Sequence, residues 1–266
     1  MENRKKKFIR DLCEKSRVRK ESGLFVVDGP KMCSELPAAL AEEVYVTEDF
    51  LSSAYVRICE DFLRSCPYEI VSPQDMQKMS DTVTPQGILA VARQLCPKSI
   101  GELLGTKQTP LVLTLETIQD PGNLGTMFRA AEAAGATGLL FNGGTVDPYS
   151  PKVIRSTMGS IFRMPFVQVN DLPKAVRIMR SGEFTEGPVN VLAADLRAKK
   201  SYREIDYRKP TAILIGNESK GLSEEMTTLA TERIIIPMCG KVESLNAAMS
   251  ATILMFEAAG ERRQNG

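Results

Sequence analysis

The chain contains no histidine, and its six cysteines (Cys13, Cys33, Cys59, Cys66, Cys96 and Cys239) form no Cys-x-x-Cys pair. These two facts remove most zinc and iron sites, the Ser-His and Cys-His nucleophile pairs, and histidine acid–base chemistry. Reactive groups must come from Arg, Lys, Glu, Asp, Ser or Asn, or from a cofactor. Three stretches place such groups beside glycines. Asp120-Pro121-Gly122-Asn123 leads through Gly125 to Arg129, and Ile215-Gly216-Asn217-Glu218 leads through Ser219 and Lys220 to Gly221-Leu222-Ser223. Ile236-Pro237-Met238-Cys239-Gly240 leads to Ser244-Leu245-Asn246. Glycine lets a backbone approach a ligand closely, and a helix beginning after such a turn offers unpaired N–H groups. Singly, each stretch reads as an ordinary strand-to-helix turn. Three together, each with polar side chains, point to a binding site. None has the G-x-G-x-x-G or P-loop spacing, which disfavours a nicotinamide enzyme or an NTPase.

The elements that must position these turns follow from hydrophobic periodicity. Residues 111–115, 139–141, 166–169, 189–194, 212–215 and 234–236 read as strands; 124–134, 151–159, 172–180 and 247–259 read as helices. This α/β alternation predicts a mostly parallel sheet covered on both faces, with ligands at the carboxyl ends of its strands. Upstream, 24–28, 44–47, 68–71 and 87–92 read as strands, with helices over 31–40 and 50–63, a compact small-domain α/β unit. A single basic helix over 4–20, ended by Gly23, precedes it. Residues 96–109 hold Pro97, Gly101 and Gly105 and no sustained period, so they read as a linker. The expected domains are therefore 1–95, a basic arm with the small unit, and 110–266, the second unit. Gln264-Asn265-Gly266 is expected to fray.

Composition bounds the class. Of 266 residues, 43% are hydrophobic and 25% charged, ordinary for a globular protein. No apolar run reaches the ~20 residues of a membrane span, and the charged start lacks the apolar core of a secretory signal, so a cytoplasmic protein with no membrane partner and no metal is expected. Net charge is +1, but residues 1–20 alone carry nine Lys/Arg against three Asp/Glu. A basic arm on a mildly acidic body reads either as a solvated helix or as a phosphate-binding tail. In the second reading Lys5, Lys6, Lys7, Arg17, Arg19 and Lys31 would meet phosphates and make affinity salt-dependent. Arg155, with Lys152 and Arg163, follows Asp147-Pro148-Tyr149 and forms a second basic cluster. Aromatic residues are only 6% and tryptophan is absent, so aromatic stacking platforms are not obvious.

The three glycine stretches, in this order, resemble the three motifs of the SpoU/TrmH family of RNA ribose 2′-O-methyltransferases in the SPOUT superfamily. The matching residues are Asn123 with Arg129; Gly216-Asn217-Glu218 with Gly221-Leu222-Ser223; and Ile236-Pro237-Met238 with Gly240 and Ser244-Leu245-Asn246. The likeness runs over 110–260, and 22–92 resembles the family's ribosomal-protein-like substrate-binding domain. Ser219-Lys220 departs from the small or acidic residues of many members. The resemblance implies a trefoil-knotted parallel-sheet methyltransferase domain, a knot that general topology rules would reject. It also implies a homodimer through the C-terminal domain, S-adenosylmethionine as methyl donor, and RNA as substrate, ribosomal rather than transfer RNA. The alternatives are a tRNA ribose methyltransferase and an RNA-binding protein that has lost turnover.

The same resemblance implies site roles. Asn123, Arg129, Glu218, Ser244 and Asn246 would be catalytic. Arg129 would act as a base or, preferably since a guanidinium gives up its proton poorly, as an electrostatic clamp on phosphate and alkoxide. Asn123 would also cap the helix over 124–134. Glu218 would orient Arg129 or Asn123, and Ser244 and Asn246, which can cap the last helix, would face the reacting ribose. The cofactor would be held by Leu192, Ala193, Ala194, Leu196, Gly216, Asn217, Ile236, Met238, Gly240, Ser244 and Leu245, with Gly216 and Gly240 allowing close backbone approach.

Overall fold

The computed structural model describes residues 1–263, so the fraying expected at 264–266 lies outside the described residues. Two compact units result: Met1–Cys96 with Asp147–Phe162, and residues 97–146 with 163 onward. The second unit differs from the expected 110–266 in starting at 97 and in lacking 147–162. Within 96–109, Ser99 and Glu102 form a capping box for a helix over Ile100–Leu104. Its Leu103 and Leu104 belong to the second unit's core, so this stretch is only in part a linker. Residues 147–162 pack with the first unit. Tyr149 lies against Phe25 (ring centroids 4.9 Å apart), and its hydroxyl accepts the Leu95 N–H at 3.0 Å.

The first unit carries a four-stranded sheet of β1 (Leu24–Asp28), β2 (Ala41–Val46), β3 (Glu69–Ile70) and β4 (Ile88–Arg93), in the order β1-β4-β2-β3. β4 runs antiparallel to both β1 and β2, and only β2 and β3 pair in parallel. The sheet of this unit is therefore mixed and mainly antiparallel. The chain re-enters through Gly87, at φ 80°, whose carbonyl accepts the Thr47 N–H at 2.9 Å and starts β4 against the end of β2. The single helix expected over 50–63 is three short ones, because Thr47 and Ser53 each cap a new start through their hydroxyls.

The basic arm is also two helices, Asn3–Glu14 and Ser16–Ser22, separated at Lys15, whose backbone is extended. The first is amphipathic. Ile9, Leu12 and Cys13 pack on Val26, Tyr45, Met76, Met79, Leu89 and Val91. The arm is thus part of the first unit's core.

The second unit is a seven-stranded sheet: β5 (Leu111–Leu115), β6 (Gly138–Asn142), β7 (Phe166–Val169), β8 (Asn190–Ala194), β9 (Lys200–Ser201), β10 (Thr211–Ile215) and β11 (Glu232–Ile235). Their order is β7-β6-β5-β10-β8-β11-β9, and every pairing is parallel. One face is covered by Leu172–Ser181 and Ile100–Leu104, which bury Val112, Leu140, Val191, Ala212 and Leu214. Pro121–Ala134 and Ala247–Arg263 pack together and on the central strands. Burial on both faces is why these strands read as continuous apolar runs. The final helix is tied back to the chain entering β5 and β10. The Arg262 guanidinium donates to the carbonyls of Thr109, Pro110, Tyr207 and Lys209 at 2.7–2.9 Å.

Candidate functional site

The three glycine stretches leave β5, β10 and β11 at the carboxyl edge of the parallel sheet, where ligands of such sheets bind. After β10 the chain makes a closed loop. Asn217 N–H donates to the Gly221 carbonyl (3.1 Å) and Gly221 N–H returns to Asn217 (2.9 Å). The Asn217 side-chain oxygen accepts the N–H groups of Ser219 and Lys220 at 3.0 and 3.1 Å. Gly221 takes φ 69°, and a Cβ at Gly216 would overlap the backbone of Gly221 and Leu222. Gly216 is therefore required by the loop's own backbone and also lines the cavity beside this loop. Gly240 has open space around it.

This loop presents Glu218. Its Oε1 accepts the Asp120 N–H (3.2 Å) and the Asn123 amide (3.0 Å); its Oε2 accepts the Gln119 N–H (3.2 Å) and the Asn217 amide (3.5 Å). Partial burial alone would raise this carboxyl's pKa. The hydrogen bond from Asn123 and those from backbone amides outweigh it and hold Glu218 below the usual carboxylate range. A carboxylate so satisfied is a poor proton acceptor and a good anchor.

What it anchors is Asn123. The helix begins earlier than expected, at Pro121, and Asp120 caps it by accepting the Asn123 N–H at 2.8 Å. Asn123 therefore does not cap; its side chain is free to reach outward. Asn246 caps the last helix, with Oδ1 accepting from Ala248 (2.9 Å) and Met249 (3.2 Å). Only its amide nitrogen then remains to donate, and it does so to Asn123 Oδ1 at 2.9 Å. The polarity is thus fixed along Asn246, Asn123 and Glu218, from one helix start to another and on to the loop.

Arg129 lies further along the Pro121–Ala134 helix, exposed, with no side-chain hydrogen bond or ion pair among the described residues. Glu218 orients Asn123, not Arg129. Ser244 is exposed in the irregular stretch before the last helix and lines a cavity of about 670 Å³.

That cavity lies between the loops after β8, β10 and β11. Its wall contains Ala194, Leu196, Gly216, Asn217, Ile236, Met238, Ser244 and Leu245, all expected as cofactor contacts. Leu192 and Ala193, also expected, are fully buried within β8, with Ala193 packed in the core, and Gly240 is not part of the lining. The wall also includes Lys220 of the second glycine stretch and four residues without a glycine signal: Asp195, Arg197, Glu224 and Arg233. Burial would raise the Asp195 pKa, but hydrogen bonds from Arg197 (3.1 and 3.2 Å) hold it below the usual range, and Arg233 stands 3.8 Å away. A charge pair two residues apart has the same sequence signature as any solvated turn, so composition could not single it out.

The expected phosphate contacts divide sharply. Lys6 is 8% exposed and its ammonium pairs with Asp75 at 2.7 Å. Arg19 is 3% exposed; it pairs with Asp147 at 2.7 Å and donates to the carbonyls of Leu12 and Cys13. Both are structural, since a buried and paired cation cannot reach a phosphate. Arg155 forms a two-pronged pair with Asp81 at 2.7 and 3.1 Å. Lys5, Arg17 and Lys31 pair at the surface with Glu43, Glu21 and Glu35, contacts weak enough to exchange for a phosphate. Lys7 is exposed.

Residues 110–256 match the SpoU rRNA Methylase family, and residues 3–90 match an MRM3-like substrate binding domain. A 23S rRNA (guanosine(2553)-2′-O)-methyltransferase of Bacillus subtilis (strain 168) is 31% identical over 244 residues, covering 91% of each chain. The SpoU methyltransferase AviRb of Streptomyces viridochromogenes, solved in complex with the cofactor AdoMet, superposes with a TM-score of 0.86 at 27% identity over 100% of both chains. An AdoMet-bound rRNA methyltransferase of Sinorhizobium meliloti gives 0.79 at 29% identity, covering 99% of this chain and 96% of that one.

Proposed function

The chain belongs to the SpoU rRNA methylase family, and from that premise we propose that it transfers a methyl group from S-adenosylmethionine to a ribose 2′-hydroxyl of ribosomal RNA. The observation that carries this reading is the fixed chain Asn246–Asn123–Glu218 beside the cavity that Glu218 and Ser244 line. It unites one residue from each of the three glycine stretches.

The cavity suits the cofactor. Its volume falls in the usual range for small-molecule sites, Leu196, Ile236, Met238 and Leu245 supply an apolar wall, and charged side chains of both signs stand beside it. Those features match an adenine ring and a zwitterionic amino-acid tail. When bound, the sulfonium supplies an electrophilic methyl group. Asn123 and Asn246 hold the ribose in line, since both are oriented by partners and not by solvent. Glu218, kept ionised, fixes Asn123 and is not the base. Arg129, with no protein partner among the described residues, binds phosphate and stabilises charge developing on the 2′-oxygen. Ser244 faces the same space.

The substrate-binding unit supports ribosomal over transfer RNA. Lys5, Lys7, Arg17 and Lys31 supply its phosphate contacts in this reading, and Arg155 does so by exchanging Asp81. The knotted path is a further part of the proposal, in keeping with a final helix that returns to the start of β5. So is a homodimer through the last helix, where Met249, Ile253 and Phe256 share one stripe, with Met249 and Phe256 exposed. No described helix is long and apolar enough to cross a membrane, and cytoplasm is the compartment proposed.

The test is transfer of labelled methyl from S-adenosylmethionine to purified ribosomal RNA and to transfer RNA, with 2′-O-methylation read by resistance to alkali. Label in ribosomal RNA alone is expected. Label in transfer RNA alone would reassign the substrate, and cofactor binding without transfer to either would indicate a binding protein.

A further inference from the structure

Directly after β5, Thr117 adopts φ 60°. A β-branched residue in the left-handed region is strained, because its Cβ crowds its own carbonyl. The loop after β6 holds it there. Asn142 Oδ1 accepts the Thr117 N–H at 2.9 Å, and Asn142 Nδ2 donates to Thr117 Oγ1 at 2.9 Å. The Thr145 hydroxyl donates to the same Asn142 Oδ1 at 3.1 Å, which fixes the amide's orientation. Gly144 packs so closely that a Cβ would stand 3.0 Å from Thr117 Oγ1, and the Val146 N–H donates to Ile118 at 2.8 Å. From the other side, Asn217 donates to the Thr117 carbonyl at 2.9 Å.

The turn at Thr117 has a consequence two residues on. It swings the chain off the sheet so that the N–H groups of Gln119 and Asp120 both meet the Glu218 carboxylate at 3.2 Å. We propose that Asn142 is a positioning residue for the site: by clamping Thr117 in its strained conformation it aims two backbone amides at Glu218, and through Glu218 it sets Asn123. Asn142 is not among the residues that line the cavity, its side chain bonds Thr117 and Thr145, and it opens an Asn-Gly-Gly run outside all three glycine stretches. The strained residue is stable only while its surroundings over-determine it, so the clamp and the strain are one device.

The kinetic consequence rests on the methyltransferase reading, whereas the structural one does not. Replacing Asn142→Ala lets the Thr117 turn relax. Amide exchange at Gln119 and Asp120 in the free protein should then quicken by about tenfold or more, and kcat should fall by about ten- to a hundredfold with KM for RNA little changed. Glycine holds φ 60° without a Cβ penalty, so Thr117→Gly should stay within about threefold of the parent in both readouts. The double variant Thr117→Gly/Asn142→Ala should recover slow exchange and kcat to within about threefold of Thr117→Gly, a rescue that a merely structural Asn142 would not permit. Unchanged exchange in Asn142→Ala, or a double variant as fast-exchanging as Asn142→Ala, overturns the proposal. Should Asn142→Ala fail to fold, the double variant carries the test, and a double that also fails to fold overturns it. A parent protein inactive on RNA would sink the reading of function and leave the exchange test standing.

Discussion

Asn246 donates its side-chain amide to Asn123 at 2.9 Å while its side-chain oxygen caps the last helix through Ala248 and Met249. One residue thus serves two helix starts, and the two roles use different atoms. Asn246→Asp separates them. Aspartate caps as well as asparagine, so the thermal midpoint should shift little. The donor to Asn123 is lost and a second carboxylate is placed near Glu218, so methyl transfer should fall by about a hundredfold, a loss typical of a misaligned polar contact. Midpoint and kcat measured on one preparation check both halves.

The depressed pKa of Glu218 links folding to pH. A folded-state pKa below the ordinary value of 4.5 contributes stability that is complete above that value and is lost as pH falls through the lower native one. Glu218→Gln removes the titration. Chemical unfolding from pH 7 down to pH 3 should therefore show a stability gap between parent and variant that is constant above about pH 5 and closes below it. A gap that widens on acidification would mean that the native carboxyl is protonated more readily than the unfolded one.

Gly216→Ala should damage cofactor binding more than any substitution in the apolar wall. The added Cβ meets the backbone of Gly221 and Leu222, which cannot move aside as a side-chain end could. Displacing the loop should cost about 1–3 kcal/mol of stability and weaken S-adenosylmethionine by at least about tenfold in calorimetric titration. Met238→Leu, at the cavity wall, should cost less than about threefold.

Arg19→Ala breaks a buried ion pair and takes the Arg19 donor from Asp147 Oδ2 and from two carbonyls. A loss of about 3–5 kcal/mol is expected in urea unfolding, whereas Arg17→Ala, two residues away and exposed, should change stability by less than about 0.5 kcal/mol. Equal effects would remove the distinction between structural and surface cations in the arm.

Arg129→Ala should leave the thermal midpoint within about 1 °C, because the side chain is exposed and partnerless among the described residues. It should lower kcat by about a hundredfold on ribosomal RNA, the size of loss seen when one transition-state donor is removed. Full turnover would assign Arg129 to the surface.

Much of the second unit was readable in advance. Residues 111–115 and 166–169 are strands at the expected bounds, and the three glycine stretches do converge at one sheet edge. That follows because strands buried on both faces leave continuous apolar runs, and because glycine turns after strands must lie at their carboxyl ends. The first unit was less readable. Its helices are short, and an antiparallel β4 leaves no mark in a pattern of apolar runs.

The sequence by itself determined which residue types could act without histidine and which family the motifs resemble. Only the tertiary structure decided what each polar side chain does. Arg19 reads as one cation among nine until its partner, 128 residues away, is known. Asn123 reads as a cap until Asp120 takes that place and Glu218 and Asn246 fix its amide. Thr117 carries no signal at all, since its positive φ is held by Asn142 at the end of β6 and Asn217 in the loop after β10. Polar side chains take their roles from long-range partners, and hydrophobic periodicity, being local, records only where the backbone goes.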